Sequence, residues 1–182
     1  LVVLSPGLYF FFEQMIFLSL ITAGVLCIVL FFNLFISILN HQTSLRMHKL
    51  FGHLSVAALT FSVLFNHNFS ESVDIKVSEG DQMNLLNSKI FFEKVEIVTD
   101  SNFNGVRAKF VIDEEYPLLP EKRVYKVGGQ ITSETAVNST FLKDYLIVLG
   151  DRFQDGSWSV TFSKKYGILM IWMSSFALLL SI

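Results

Sequence analysis

Leu50–Phe65 reads LFGHLSVAALTFSVLF, sixteen residues with no acid, lysine, arginine or proline and a single histidine, His53. As a helix it rises about 24 Å at about 1.5 Å per residue, a little short of a roughly 30 Å hydrocarbon core. Arg46 and Lys49 stand just before it and can snorkel to the interface. An ionisable side chain one turn inside such a segment is costly unless it faces a partner, so His53 is the first candidate functional residue. The residues alone leave two roles open for it: a metal ligand, or a histidine packed between helices and bonded to a carbonyl or serine.

Working outward, Met15–Leu39 holds twenty-five residues without a charge, enough to cross a bilayer with tilt. It is too long for the apolar region of a signal peptide. Residues 1–12 are apolar but carry Pro6 and Gly7, and Glu13-Gln14 follows, which suits an interfacial segment or loop. The connection Asn40–Lys49 has Arg46 and Lys49 and no acid, so this loop is expected on the cytoplasmic or matrix side. The helix that follows, at about 46–67, then delivers the chain to the opposite side. His41 and His48 fall in or beside the inner loop and are expected to be solvated, while His67 comes just after the helix leaves the membrane.

Beyond Asn68 the apolar period changes from helical to alternating. Val73, Ile75 and Val77 alternate first, and Val106, Ala108, Phe110 and Ile112 stand against Arg107, Lys109 and Asp113. Further strand-like runs occupy Lys89–Val98, Lys122–Val127, Tyr145–Leu149 and Trp158–Phe162, separated by turn chemistry such as Glu79-Gly80-Asp81, Gly128-Gly129 and Asp155-Gly156. Six or seven strands are expected, in a small antiparallel sandwich or partly open barrel. Ser133–Phe141 is expected to hold one short helix, with Glu134 in its first turn. Tyr166–Ile182 is again uncharged and would return the chain through the membrane, with Tyr166 and Trp172 near its outer end.

The expected fold class is thus an α+β membrane protein, about three transmembrane helices with an exported all-β domain between the second and third. Its parts are residues 1–67 with helices at about 15–39 and 46–67, a β domain over 68–163, and a last helix over 164–182. More than half of the residues are apolar, nineteen are phenylalanine, and almost every charge lies between Glu71 and Lys165. A net charge of −2 without a basic stripe excludes a nucleic-acid partner. Cys27 is the single cysteine, so no internal disulfide, thiolate cluster or covalent haem site can be built from this chain.

PEKRVYKVGGQITSETAV at Pro120–Val137 and FLKDYLIVLGDRFQDGSWSV at Phe141–Val160 resemble the C-terminal part of the CcmF family, the haem lyase subunits of cytochrome c maturation. The resemblance rests on Pro120-Glu121-Lys122-Arg123, Tyr125, Glu134, Ala136, Asp144, Leu149-Gly150, Asp155-Gly156 and Trp158, and continues to Ile171-Trp172. Upstream, GHLSVA at Gly52–Ala57 resembles the family's HLGVA motif. It covers roughly Leu45 to the end of the chain. The chain departs from the pattern at Leu119, at Lys165-Tyr166 and at Met170, none of which touches the histidine motif.

The resemblance implies that His53 is an axial ligand of a non-covalent b-type haem within the membrane, hence also the metal (haem iron) ligand. The family's other ligands and its tryptophan-rich haem segment belong to upstream portions, so a complete bis-histidine site is not expected from this chain alone. Lys122 and Arg123 are candidate contacts for haem propionates or an acidic partner, against the alternative of a solvated strand face. Glu134 and Asp144 are read as fold-specifying acids and Trp158 as core. The sequons at Asn68 and Asn138 would be used only in a secretory compartment, which nothing else suggests.

The implied function is that of a C-terminal portion of a multi-subunit cytochrome c haem lyase, not catalytic by itself. The portion would work with the remaining portions of the lyase, a haem-carrier protein, apocytochrome c and membrane lipid. The expected location is the mitochondrial inner membrane, or else a bacterial inner membrane, with the β domain on the intermembrane-space or periplasmic side. The rival is a structural or interaction subunit of a larger membrane complex without haem chemistry. A transporter is disfavoured by the absence of an intramembrane acid or a broken helix pair.

Overall fold

The computed structural model describes residues 6–41 and 43–181 and divides into two compact units, Leu1–Phe69 with Tyr166–Ile182, and Ser70–Lys165. The first unit is helical. Helix α1 runs Pro6–Leu39, α2 runs Ser44–Phe69 and α3 runs Ile168–Leu180. Of the stretch 1–12, expected as an interfacial segment or loop, residues 1–5 lie outside the described residues, and from Pro6 onward the chain is helix. Proline is at home in a first helical position, where its missing N–H would have no intrahelical acceptor anyway.

Two stretches are long and apolar enough to cross a membrane, Glu13–Leu39 and Leu45–Phe69. The exposed side of α1 carries Phe17, Leu18, Ile21, Val25, Ile28 and Phe32, the pattern of a helix solvated by hydrocarbon rather than water. A tight turn joins α1 to α2: the His41 N–H donates to the Ile38 carbonyl at 3.1 Å, and His41 takes φ 47°. Helix α2 packs against both α1 and α3. Its buried positions are small, Ser55, Ala57 and Ser62, and both serine hydroxyls donate back to carbonyls of their own helix, Phe51 and Ala58. Small residues at these seams let helix backbones approach where no hydrophobic effect drives them together.

Helix α3 is shorter than the run Tyr166–Ile182 suggested. Tyr166 still belongs to the preceding strand, and the direction changes at Gly167, whose φ of 74° suits a residue without a Cβ. Phe65 lies beside Gly167 at one end of α3, and Gly52 lies beside Ser181 at the other. The thirteen residues of α3 therefore flank the same Gly52–Phe65 stretch of α2 that holds the candidate histidine. The Asn66 amide donates to the Tyr166 carbonyl at 2.7 Å and fixes the joint between strand and helix.

The second unit is a two-sheet sandwich of ten strands among the described residues: β1 Glu71–Val77, β2 Gln82–Leu85, β3 Ser88–Thr99, β4 Phe103–Ile112, β5 Tyr116–Leu118, β6 Glu121–Tyr125, β7 Ile131–Glu134, β8 Ala136–Ser139, β9 Lys143–Arg152 and β10 Trp158–Tyr166. One sheet has the order β1-β10-β9-β8, the other β2-β3-β4-β6-β7 with β5 also paired to β4. The alternation in β9 and β10 buries Tyr145, Ile147 and Leu149 against Trp158, Val160 and Phe162. Phe92 and Phe110 complete the core, their rings stacked at 4.4 Å. The short helix expected over Ser133–Phe141 is absent, and its residues form the end of β7 and all of β8. Pairing of β7 with β6 and of β8 with β9 overrides the helix-capping chemistry of Ser133 and Glu134, and leaves ITSETAVNST alternating between exposed and half-buried positions.

Candidate functional site

His53 sits in the third turn of α2 and is exposed. It makes no hydrogen bond or ion pair among the described residues, so its ring nitrogens are uncommitted. One flank is an open groove of about 360 Å³ lined by Ala23, Leu26 and Leu30 of α1 and by His53, Val56, Ala57 and Thr60 of α2. The positions 53, 56, 57 and 60 share a helix face, which is why these side chains meet. The other flank is a hollow lined by Leu45, His48, Lys49, Gly52 and His53, with Leu180 and Ser181 of α3.

The surroundings fit a flat, mostly apolar ligand bound through the imidazole. The groove is mostly aliphatic, with Ala23 and Ala57 adding little bulk, while the hollow sets His48, Lys49 and Ser181 beside Gly52, which adds none. Among the described residues no three histidine, cysteine or acidic side chains come together. His48, expected in or beside the inner loop, lies instead in the second turn of α2 and lines the same hollow as His53, so the chain brings two imidazoles to that flank. His41 and His67 are exposed at opposite ends of α2, away from both hollows. Sequence reasoning passed over Lys49, which precedes His53 by one turn and shares its hollow; that spacing is visible in the sequence.

Lys122 and Arg123 lie in the other unit, on β6. The Lys122 ammonium pairs with Asp151. The Arg123 Nε donates to Glu121 Oε2 at 2.7 Å, and its guanidinium lies 4.6 Å from the Phe103 ring centre. Arg107 donates to the other oxygen of the same carboxylate, Glu121 Oε1, at 2.5 Å. Glu121 is buried, and burial alone would push its carboxyl up. The hydrogen bonds from Arg123 and Arg107 outweigh that and hold it below its ordinary value of 4.5. Both candidate cations are therefore already engaged with acids of their own unit.

A two-sheet sandwich carried on apolar helices of membrane length, with an uncommitted histidine on one of them, defines the class. A family model described as the CcmF C-terminal beta-sandwich matches residues 68–165, just over half of the chain. The chain belongs to this family.

The cytochrome c-type biogenesis protein CcmF of Escherichia coli (strain K12) is 27% identical over 125 residues, 66% of this chain and 19% of that one. Its counterpart in Haemophilus influenzae (strain ATCC 51907 / DSM 11121 / KW20 / Rd) is 28% identical over 126 residues, 67% of this chain and 19% of that one. The chain thus spans about a fifth of the length of these curated relatives. A solved structure of cytochrome c haem lyase CcmF shares the fold, with a TM-score of 0.66 at 13% identity, over 98% of this chain and 34% of that one.

Proposed function

We infer that this chain is a portion of a cytochrome c haem lyase whose α2 histidine, His53, is one axial ligand of a membrane b-type haem. The observation that carries the reading is an imidazole without a protein partner, flanked by an apolar groove on a membrane-length helix. When bound, the b-type haem would supply one electron to reduce the ferric iron of a haem delivered by the carrier protein, which must be ferrous when its vinyl groups add the CxxCH thiols of an apocytochrome. Ala23, Leu26, Leu30 and Val56 line the groove beside His53 and would keep water from a haem held there. Lys49, sharing the hollow with His53, is placed to accept a propionate, a role better suited to it than to the paired Lys122 and Arg123. The β unit serves as a docking platform for the carrier protein and the apocytochrome.

In this reading α1, α2 and α3 all cross the membrane. The turn at His41 faces the cytoplasm or matrix, and the β unit faces the periplasm or intermembrane space. The curated relatives described above come from bacteria, and a mitochondrial inner membrane remains part of the proposal.

A reduced-minus-oxidised visible spectrum of the detergent-purified assembled complex tests the ligand. His53→Ala is expected to abolish a low-spin b-type signal that the wild type shows, with the complex intact by mass. An unchanged spectrum would make the chain an anchor and docking subunit without haem chemistry.

A further inference from the structure

Strand register gathers three turns at one end of the sandwich. Strand β1 begins at Glu71, which pairs with Lys164 near the end of β10. The Lys164 ammonium lies 5.7 Å from the Tyr145 ring centre, so β9 begins at this end as well, and Ser139 of β8 pairs with Asp144 there. The turn from β8 to β9, residues 140–143, therefore sits at the end where the chain enters the unit after Phe69 and leaves it after Lys165. Lys164 also donates to the Leu86 carbonyl at 3.0 Å, which brings the turn between β2 and β3 to this end. The Lys89 N–H donates to Asp113 Oδ1 at 2.8 Å and adds the turn between β4 and β5.

These turns differ in chemistry. In the first, Leu86 packs against the core and Asn87 faces solvent. The second is acidic and exposed, with Asp113 and Glu114 at its tip. The third has Phe141 and Leu142 at its tip, 78% and 65% exposed, and neither joins the core. A tight hairpin turn in water favours glycine, asparagine, aspartate or serine, so two adjacent large apolar residues there need another solvent.

The tip stands on a fixed base. The Thr140 N–H donates to the Lys143 carbonyl at 2.9 Å, and the Thr140 hydroxyl donates to that carbonyl at 2.7 Å while accepting from the Lys143 N–H at 3.3 Å. Strand β8 is two places from β10 in its sheet, about 10 Å at roughly 4.8 Å per strand. The polar layer between hydrocarbon and water is itself about 5–8 Å deep on each side of a bilayer.

We propose that Phe141 and Leu142 are a wedge that dips into the bilayer interface, a third attachment of the β unit to the membrane besides the two strands that continue into helices. The occupant is lipid because β1 and β10 meet α2 and α3 at this same end, so the interface is the apolar medium that lies within the tip's reach. The acids Asp113 and Glu114 belong to the other sheet and stay in water, so one corner of the unit enters the interface rather than its whole end. Two strands side by side leave the unit free to swing about them, and a wedge on β8 and β9 stops that swing. The inference rests on the reading that α2 and α3 cross the membrane, and it is independent of His53.

The test is depth-dependent quenching in the purified assembled complex, reconstituted into phosphatidylcholine vesicles. With Cys27→Ser as background, an environment-sensitive fluorophore is attached at Leu142→Cys or, as control, at Val127→Cys in the turn at the opposite end. Lipid carrying a nitroxide near the top of its acyl chain should quench the label at Leu142→Cys about twofold or more and leave the one at Val127→Cys unaffected. Adding Phe141→Ser should remove most of that quenching, with circular dichroism unchanged because the side chain is exposed. A label at Leu142→Cys that emits as in water overturns the proposal. Blue-shifted emission without quenching also overturns it, since another portion of the lyase then covers the tip. Impermeant labelling of Thr43→Cys and Val127→Cys in the same vesicles separates the two readings: both reacting overturns the crossing by α2, whereas absent quenching with that crossing intact overturns the wedge alone.

Discussion

Glu121 takes two arginine partners, and that arrangement sets the acid sensitivity of the sandwich. Its folded pKa is depressed, so the unfolded chain binds the proton more readily. The resulting stability is fully present above the ordinary value of 4.5 and is lost as pH falls through the folded value. Urea midpoints of the full chain should stay level from pH 7 to about pH 5 and fall below that, and Glu121→Gln should flatten the fall. At neutral pH Glu121→Ala should cost about 2–3 kcal/mol, because it strands two guanidinium groups beside a buried site. Nearby, a Cβ on Gly105 would collide with the backbone carbonyl oxygen of Lys122. Gly105→Ala must push two paired strands apart and should lower stability by about 1–3 kcal/mol in the same urea titration. The cationic pair Lys122-Arg123 was plain in the sequence, but its partners were not. Glu121 meets Arg107 only through the register of β4 and β6, and register cannot be read from one strand.

Elements with a strong repeating pattern were legible, and those whose form depends on a neighbour were not. Met15–Leu39 and Leu50–Phe65 announce themselves by hydropathy, and β3, β4, β9 and β10 by long alternation. Strands β2, β5, β7 and β8 have three or four residues each, too few for a period to show, and they exist because a longer strand lies beside them. The same holds for the start of α3, where the uncharged run begins at Tyr166 but pairing keeps that residue in β10 and Gly167 takes the bend. Replacing Gly167 by alanine puts a Cβ into a left-handed conformation and within 3.0 Å of the Phe65 ring. The strain of about 1–2 kcal/mol should open the joint some fivefold to thirtyfold more often. Trypsin cleavage after Lys165 in the full chain reports this, and an unchanged rate would mean that the bend tolerates a side chain.

The molecule as a whole hinges on whether α2 crosses the membrane, because its two ends lead to different chemistry. Arg46 and Lys49, expected in the loop before it, lie in its first two turns, and its last turn leads into the β unit. Helix α3 runs alongside Gly52–Phe65, from Gly167 near Phe65 to Ser181 near Gly52. Thirteen residues reach only about 20 Å. They cover the same depth as the apolar centre of α2, so a crossing by α2 brings the end of α3 toward the inner loop. The proposed topology then fixes three addresses, Thr43 and Ser181 toward one side and the exposed turn residue Val127 toward the other. With Cys27→Ser as background, single cysteines at Thr43→Cys, Ser181→Cys and Val127→Cys can be labelled with a membrane-impermeant maleimide in sealed vesicles. Val127→Cys is expected to react in vesicles whose outer face is the periplasmic or intermembrane-space side, and the other two only after permeabilisation. If Thr43→Cys and Val127→Cys react together in intact vesicles, α2 does not cross, and His53 loses the low-dielectric surroundings that an axial ligand there requires. If Ser181→Cys alone reacts with Val127→Cys, α2 crosses and α3 does not. The haem groove would then be built from α1 and α2 only, leaving Gly52 and Lys49 open to a helix from another portion of the lyase.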